Sequence, residues 1–219
     1  MARKQFDLIV FDWDGTLMDS TATIVRSIQS AARDLGLPVP KDEQAAHVIG
    51  LGLQEAMAAV MPDMDAAMVP KMVERYRYHY LTKDPELVLF AGVRAMLNEL
   101  SQEGYFLAVA TGKSRVGLNR AMNATGLLSV FDATRCADET FSKPHPAMLQ
   151  ELTRELGQDL KRTLMIGDTT HDLLMASNAG AAAVAVEYGA HPLAQLQTCQ
   201  SQFSARSVVE LHQWLSENA

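Results

Sequence analysis

Phe6-Asp7-Leu8-Ile9-Val10-Phe11-Asp12-Trp13-Asp14-Gly15-Thr16 carries an apolar run directly into two carboxylates one residue apart. The apolar part reads as a short buried strand. Side chains alternate along a strand, so Asp12 and Asp14 are expected on one face and Trp13 on the other. Gly15-Thr16 lets the chain turn sharply and bring backbone N–H groups close to a bound anion. Two acids at a strand's end suit a nucleophilic carboxylate served by a second carboxyl that handles protons. The plainer reading is a polar turn, since Asp and Gly are common turn residues.

Three later segments bear on that choice. Leu107-Ala108-Val109-Ala110-Thr111-Gly112 is a second apolar run, ending in a hydroxyl and a glycine. Ser142-Lys143-Pro144-His145-Pro146 places a lysine in a proline-stiffened loop before a helical segment. Leu164-Met165-Ile166-Gly167-Asp168-Thr169-Thr170-His171-Asp172 is a third apolar run, ending in two more acids. Singly, each has an ordinary explanation: a threonine at a strand end, a surface lysine, an aspartate capping a helix. For Thr111 and Lys143 taken alone, the ordinary explanation is preferred. In this order, each at a strand end or just before a helix, they are hard to ascribe to coincidence.

The strand and helix patterns alternate. Apolar strands near 6–11, 105–110, 162–166 and 182–186, with a weaker one near 130–134, are separated by helical patterns near 93–103, 114–124, 146–156 and 171–179. This βαβα order implies an α/β fold with a doubly wound parallel sheet and a site at the carboxyl ends of its strands. Residues 20–84 break the rhythm: their spacing is helical, with breaks at Gly36-Leu37-Pro38, Gly50-Leu51-Gly52 and Met61-Pro62. They are expected to form an inserted α-helical cap, leaving 1–19 and 85–219 as the catalytic core, with hinges near Met18–Ser20 and Asp84-Pro85. Gln195 to Ser204 is polar and expected to be a loop before a last helix near 207–216.

The four segments resemble, in order, the four motifs of the haloacid dehalogenase superfamily in its phosphatase branch, and the chain is most similar to phosphoglycolate-phosphatase-like hydrolases. The likeness spans nearly the whole chain, including Phe90-Ala91-Gly92-Val93 through Lys113 and Ala176-Ser177-Asn178-Ala179-Gly180. Two departures stand out: Trp13 where a smaller aliphatic residue is usual, and Ala91 where proline often precedes the glycine. Neither carries a chemical role, but Trp13 is expected to alter packing beneath the site.

The resemblance implies a Rossmann-like core with a helical cap. It also implies a Mg²⁺-dependent phosphatase that hydrolyses a small phosphorylated metabolite through an aspartyl-phosphate. Asp12 would be the nucleophile, and Asp14 the acid and base, its proton affinity raised by a neighbouring carboxylate. Thr111, Gly112 and Lys143 would hold the phosphoryl oxygens. Asp12, Asp14 (through its carbonyl), Asp168 and Asp172 would bind the metal. Four carboxylates facing one lysine would repel a phosphate dianion, and a divalent cation reverses that balance.

A phosphomutase of the β-phosphoglucomutase type shares these parts and stays an alternative. A non-catalytic phospho-acceptor or interaction protein is a weaker one, because it has no use for Asp14. A dehalogenase would need neither Asp14 nor a metal.

Composition agrees. The chain has 219 residues, 48% hydrophobic and 21% charged, which is ordinary for a globular protein and leaves room for a small insertion. A net charge of −7 argues against a nucleic-acid surface. Cys136 and Cys199 are too few for a disulfide framework, and no apolar run reaches membrane-spanning length. A cytoplasmic protein, monomer or homodimer, with no nucleic-acid or membrane partner, is expected.

Several cap features invite over-reading. Met57, Met61, Met64, Met68 and Met72 fit ordinary cap core better than a methionine-rich binding surface. Glu74 to Tyr80 interleaves basic and aromatic residues, but a helix with a partly buried tyrosine face and solvated arginines explains it more simply. Gly50-Leu51-Gly52 has Glu55 where a phosphate loop would place its third glycine; its part in the substrate cavity stays open. His47 and His79, with no matching partners, are expected to be structural, and His171 to start a helix.

Overall fold

The computed structural model describes residues 4–83 and 86–219. Its centre is β1 (Leu8–Phe11), four residues that are all buried. β1 pairs in parallel with β2 (Phe106–Thr111) on one side and β4 (Thr163–Gly167) on the other. β3 (Ala133–Cys136), β5 (Ala182–Val186) and β6 (Phe203–Ala205) complete a six-stranded parallel sheet of order β3-β2-β1-β4-β5-β6. The order reverses at β1, so the crevice at the carboxyl end of β1 is the switch point where such sheets bind ligands.

Alternation builds two cores. Ile9, Phe11, Leu107, Val109, Leu164 and Ile166 pack on one face, under α5 (Val93–Gln102), α6 (Arg115–Thr125) and α10 (Val208–Asn218). Leu8, Val10, Ala108, Ala110 and Met165 pack on the other, under α7 (Ala147–Leu156), α8 (Thr170–Ala179) and α9 (Leu193–Leu196). Each large apolar side chain so buried contributes roughly 1.5–3 kcal/mol. Continuous burial of β1 is why it reads as an unbroken apolar run.

Between β1 and α5 the chain makes α1 (Thr21–Asp34), α2 (Asp42–His47), α3 (Leu53–Val60) and α4 (Val69–Lys83), with no strand among the described residues of this segment. Ile24, Val25, Ile28, Ala31 and Ala32 form one face of α1 at helical spacing and bury against Met57, Met72 and Tyr80. Arg75 and His79 of α4 both hold Asp34 at the end of α1, so His79 has a partner after all, 2.8 Å away. Met61 and Met64 pack partly buried on this core. Where the segment leaves and rejoins the sheet, Asp19 N–H donates to the Val88 carbonyl and Phe90 N–H to that of Leu17, both at 3.0 Å. The expected hinge at Asp84-Pro85 lies outside the described residues.

The polar stretch 195–204 is not all loop. α9 runs into its start, and β6 begins at Phe203, pairing with Val184–Val186 as an edge strand. Only Ala205 of β6 is fully buried, so three residues at a sheet edge gave no usable hydrophobic pattern. Among the described residues no helix is long and apolar enough to cross a membrane.

Candidate active site

The strand ends converge as alternation requires. Asp12 and Asp14 both face one cavity, while Trp13 enters the core and meets Phe131 edge-on, ring centroids 6.4 Å apart. Asp12 N–H donates to the Ile166 carbonyl at 2.9 Å, carrying the β1–β4 pairing past the strand and fixing the side chain beside β4. Gly15 has φ +81°, and a Cβ there would collide with the Asp168 carboxylate, so glycine is required both for the turn and for the approach. Its N–H, expected to serve an anion, donates instead to the Met18 carbonyl at 2.9 Å.

Asp168, just past β4, is held at both oxygens. Thr16 Oγ1 donates to Oδ1 at 2.8 Å and Ala190 N–H to Oδ2 at 2.7 Å. Asp172 sits in a capping box at the start of α8, where Thr169 N–H and Oγ1 donate to its Oδ2 at 3.1 and 2.6 Å. This turns its Oδ1 toward Lys143.

Lys143 is no surface lysine. It is 2% exposed, with Nζ 2.8 Å from Asp12 Oδ1 and 2.6 Å from Asp172 Oδ1. Burial disfavours its charge, but Asp12 and Asp172 more than offset this and hold it above the ordinary lysine range. Burial pushes Asp12 up to about 7, with Lys143 opposing and Asp172 adding to the rise. Asp168 is likewise pushed well above the usual carboxylate range, first by burial and then by Asp12 and Asp172.

Two of these buried carboxylates, Asp12 and Asp172, therefore share one ammonium, and the third, Asp168, lies beside them without a cation in contact among the described residues. Oxygens of Asp12, Asp168 and Asp172 lie within 4.8 Å of one another, and Asp12 Oδ2 has no hydrogen-bond partner among the described residues. Two like charges 4 Å apart repel by about 4 kcal/mol at an effective dielectric of about 20. An orphaned buried carboxylate oxygen among oxygen-only donors fits a hard divalent cation.

Asp14 has a different environment from the one expected. Its oxygens accept from Ser20 Oγ at 2.6 Å and face Lys113 Nζ at 3.0 Å, so a cation, not a carboxylate, is the charged group in contact with it. Lys113 also donates to the Tyr80 hydroxyl at 2.9 Å. Burial disfavours its charge, but Asp14 and the tyrosines keep it above the usual range. The site thus has two lysines, each with its own carboxylate partners. The sequence placed Ser20 at a hinge and Tyr80 on a helix face but gave Lys113, Ser20 and Tyr80 no role at the site; the one available signal was the place of Lys113 just beyond Thr111-Gly112. Thr111 is buried and lines the cavity with Asp12, its Oγ1 accepting from Lys113 N–H at 3.2 Å.

The helical segment closes over these groups. A Cβ on Gly112 would collide with the Leu51 carbonyl, so the 50–52 loop does line the cavity, seated on the β2 end. Gly52 N–H donates to Ser142 Oγ at 2.8 Å. His47 is not partnerless: its ring stacks on His191 at 4.9 Å, and its carbonyl lies 2.9 Å from His171 Nε2 and 3.1 Å from His191 Nε2. His191 Nδ1 accepts from Thr170 N–H at 3.1 Å, which leaves Nε2–H to donate to His47. Burial pushes His191 down to about 4, so it is neutral at physiological pH.

Residues 9–186 match the model of the haloacid dehalogenase-like hydrolases. The chain belongs to this family. "Probable phosphatase IndB" of Dickeya dadantii (strain 3937) is 39% identical over 201 residues, 89% of this chain and 87% of that one. A phosphoglycolate phosphatase of Agrobacterium fabrum (strain C58) is 31% identical over 194 residues, 86% of this chain and 83% of that one. Among solved structures, a predicted phosphoglycolate phosphatase from Haemophilus somnus 129pt superposes with a TM-score of 0.86 at 25% identity, covering 97% of this chain and 99% of that one. As a haloacid dehalogenase-like hydrolase, the chain places its four motif segments on the switch-point crevice of the sheet.

Proposed function

We propose that this hydrolase is a Mg²⁺-dependent phosphatase of small phosphorylated metabolites that works through a phosphorylated Asp12. The observation that carries the reading is Asp12 itself. Its Oδ2 has no hydrogen-bond partner among the described residues, its Oδ1 is held by Lys143, and it faces a cavity that Asp14 also lines.

Asp12 Oδ2 attacks phosphorus, and the ester oxygen leaves with a proton from Asp14. Asp14 then takes a proton from the water that attacks the aspartyl-phosphate, releasing inorganic phosphate and restoring Asp12. Thr111, Gly112 and Lys143 hold the phosphoryl oxygens. Lys113 pairs with the carboxylate form of Asp14; a phosphate dianion in the cavity gives Lys113 a second anion to serve, which releases Asp14 to carry the proton. Asp12, Asp168, Asp172 and the Asp14 carbonyl hold Mg²⁺, which when bound supplies charge compensation for the dianion. Residues 20–84 act as the cap of a core formed by 1–19 and 85–219, excluding bulk water while the one attacking water is admitted beside Asp14.

The test is phosphate release from a panel of phosphate monoesters with and without Mg²⁺. Release that depends on Mg²⁺ is expected. Isomerisation of a sugar phosphate without release would make the chain a mutase instead.

A further inference from the structure

The cap is already seated on the core, and a large space remains beneath it. The 50–52 loop rests on Gly112, Gly52 bonds Ser142, and Tyr80 bonds Lys113, yet the cavity between them holds about 580 Å³. That volume lies within the range of sites that hold drug-sized ligands. A two-carbon phospho-acid, with about nine non-hydrogen atoms, would fill only a fraction of it.

The wall the cap offers is apolar. Ile24 and Ile28 of α1, Ile49, Leu53 and Met57 face the cavity, and Tyr76 and Tyr80 add a stacked aromatic pair with centroids 5.7 Å apart. The charges offer no surplus for a second anionic group. Lys113 already serves Asp14 and the phosphoryl site, Arg120 is itself engaged, and the lining carries Glu55 and Asp138 as well as Arg77 and Arg120. A substrate carboxylate entering here would meet balanced charge and hydrocarbon.

We infer that the preferred substrate is a phosphate monoester with a bulky, largely apolar organic part, rather than the two-carbon acid that the names of several relatives carry. This rests on the phosphatase reading above. The phosphoryl group lies on Asp12, and the organic part fills the space under α1, α3 and α4. Both discrimination and turnover then follow apolar area buried on the cap.

The experiment uses the full chain with saturating Mg²⁺ and n-alkyl phosphates from ethyl to octyl, alongside benzyl phosphate and 2-phosphoglycolate. The alkyl leaving groups are chemically alike, so kcat/KM reports the wall. A rise of roughly three- to fourfold per buried methylene is expected, levelling once the cavity is full, with 2-phosphoglycolate below hexyl and benzyl phosphate. A flat series, or 2-phosphoglycolate at the top, overturns the inference and leaves the phosphatase reading standing. No phosphate from any ester overturns both.

Leu53→Trp, which fills part of the space, is expected to move the levelling point to shorter chains. A levelling point that stays put in a variant with unchanged melting behaviour overturns the inference. Calorimetric titration of the wild-type chain with alkylphosphonates, which needs no variant, is expected to give tighter binding and a more negative heat-capacity change with chain length. No such trend overturns it as well.

Discussion

Lys143→Met removes the one ammonium shared by Asp12 and Asp172 while nearly keeping its length and apolar stem. Because Nζ lies 2.8 and 2.6 Å from the two carboxylates in a fully buried setting, the variant leaves buried charge without its partner. Breaking a buried pair in this way is worth about 3–5 kcal/mol. For a chain of this size each kcal/mol corresponds to roughly 2–4 °C, so a fall in melting temperature of roughly 6–20 °C is expected. The loss is limited by protonation, since a buried carboxylate can neutralise rather than stay charged. It is therefore larger at pH 8 than at pH 6, on either side of the value of about 7 for Asp12. The assay is thermal unfolding in chelator at both pH values. Adding Asp12→Asn to Lys143→Met is expected to recover part of the stability, making the double change less severe than the sum. A fall of less than about 2 °C at pH 8, or strict additivity in the double variant, would refute the shared-cation reasoning.

Asp14→Asn is expected to lose most activity on alkyl phosphates, while the first step with p-nitrophenyl phosphate, whose leaving group needs little protonation, is less affected; equal losses in single-turnover phosphorylation would remove Asp14 as the acid. The raised value of Asp12, about 7 against an ordinary 3.8, gives a stability contribution that is present below about pH 4 and lost as pH rises through 7 in the metal-free protein. Mg²⁺ binds the charged carboxylates, so the melting shift it produces is expected to grow between pH 5 and 7.5, and a shift that shrinks over that range contradicts the placement of the metal. Chelation should abolish activity, Mg²⁺ restore it and Ca²⁺ inhibit, with Asp168→Ala sharply raising the Mg²⁺ requirement; full activity in excess chelator would count against the cluster of three carboxylates. A folded phosphoprotein is expected to be a poor substrate because residues of the helical segment cover the cavity, and its efficient dephosphorylation would show that they do not gate it.

The parts of this site legible in the sequence are those imposed by strand geometry. Asp12, Trp13 and Asp14 alternate because a strand alternates, and the buried run before them made the central strand visible. Asp168 was legible as an acid at the end of a buried run, whereas Asp172, inside α8 and held by a capping box at Thr169, was reached only through the resemblance. Lys113 escaped because nothing in Thr111-Gly112-Lys113 says which carboxylate its side chain will meet; that contact is set by Tyr80, 33 residues away in the chain. The partners of His47 were hidden for the same reason, since His171 and His191 reach it only through the docking of the helical segment on the sheet. β6 was missed because an edge strand of three residues with one buried side chain has no period to read.

The central claim is that phosphorus passes through Asp12. Rapid quenching of a single turnover with Mg²⁺ present, followed by acid digestion and peptide mass analysis, tests it most directly. The account predicts one phosphoryl group, transiently present, on the peptide carrying Asp12, and none when Asp12→Asn is treated in the same way. A wild-type turnover that releases phosphate with no phosphorylated Asp12 at any time point, or with the group on another side chain, would contradict it.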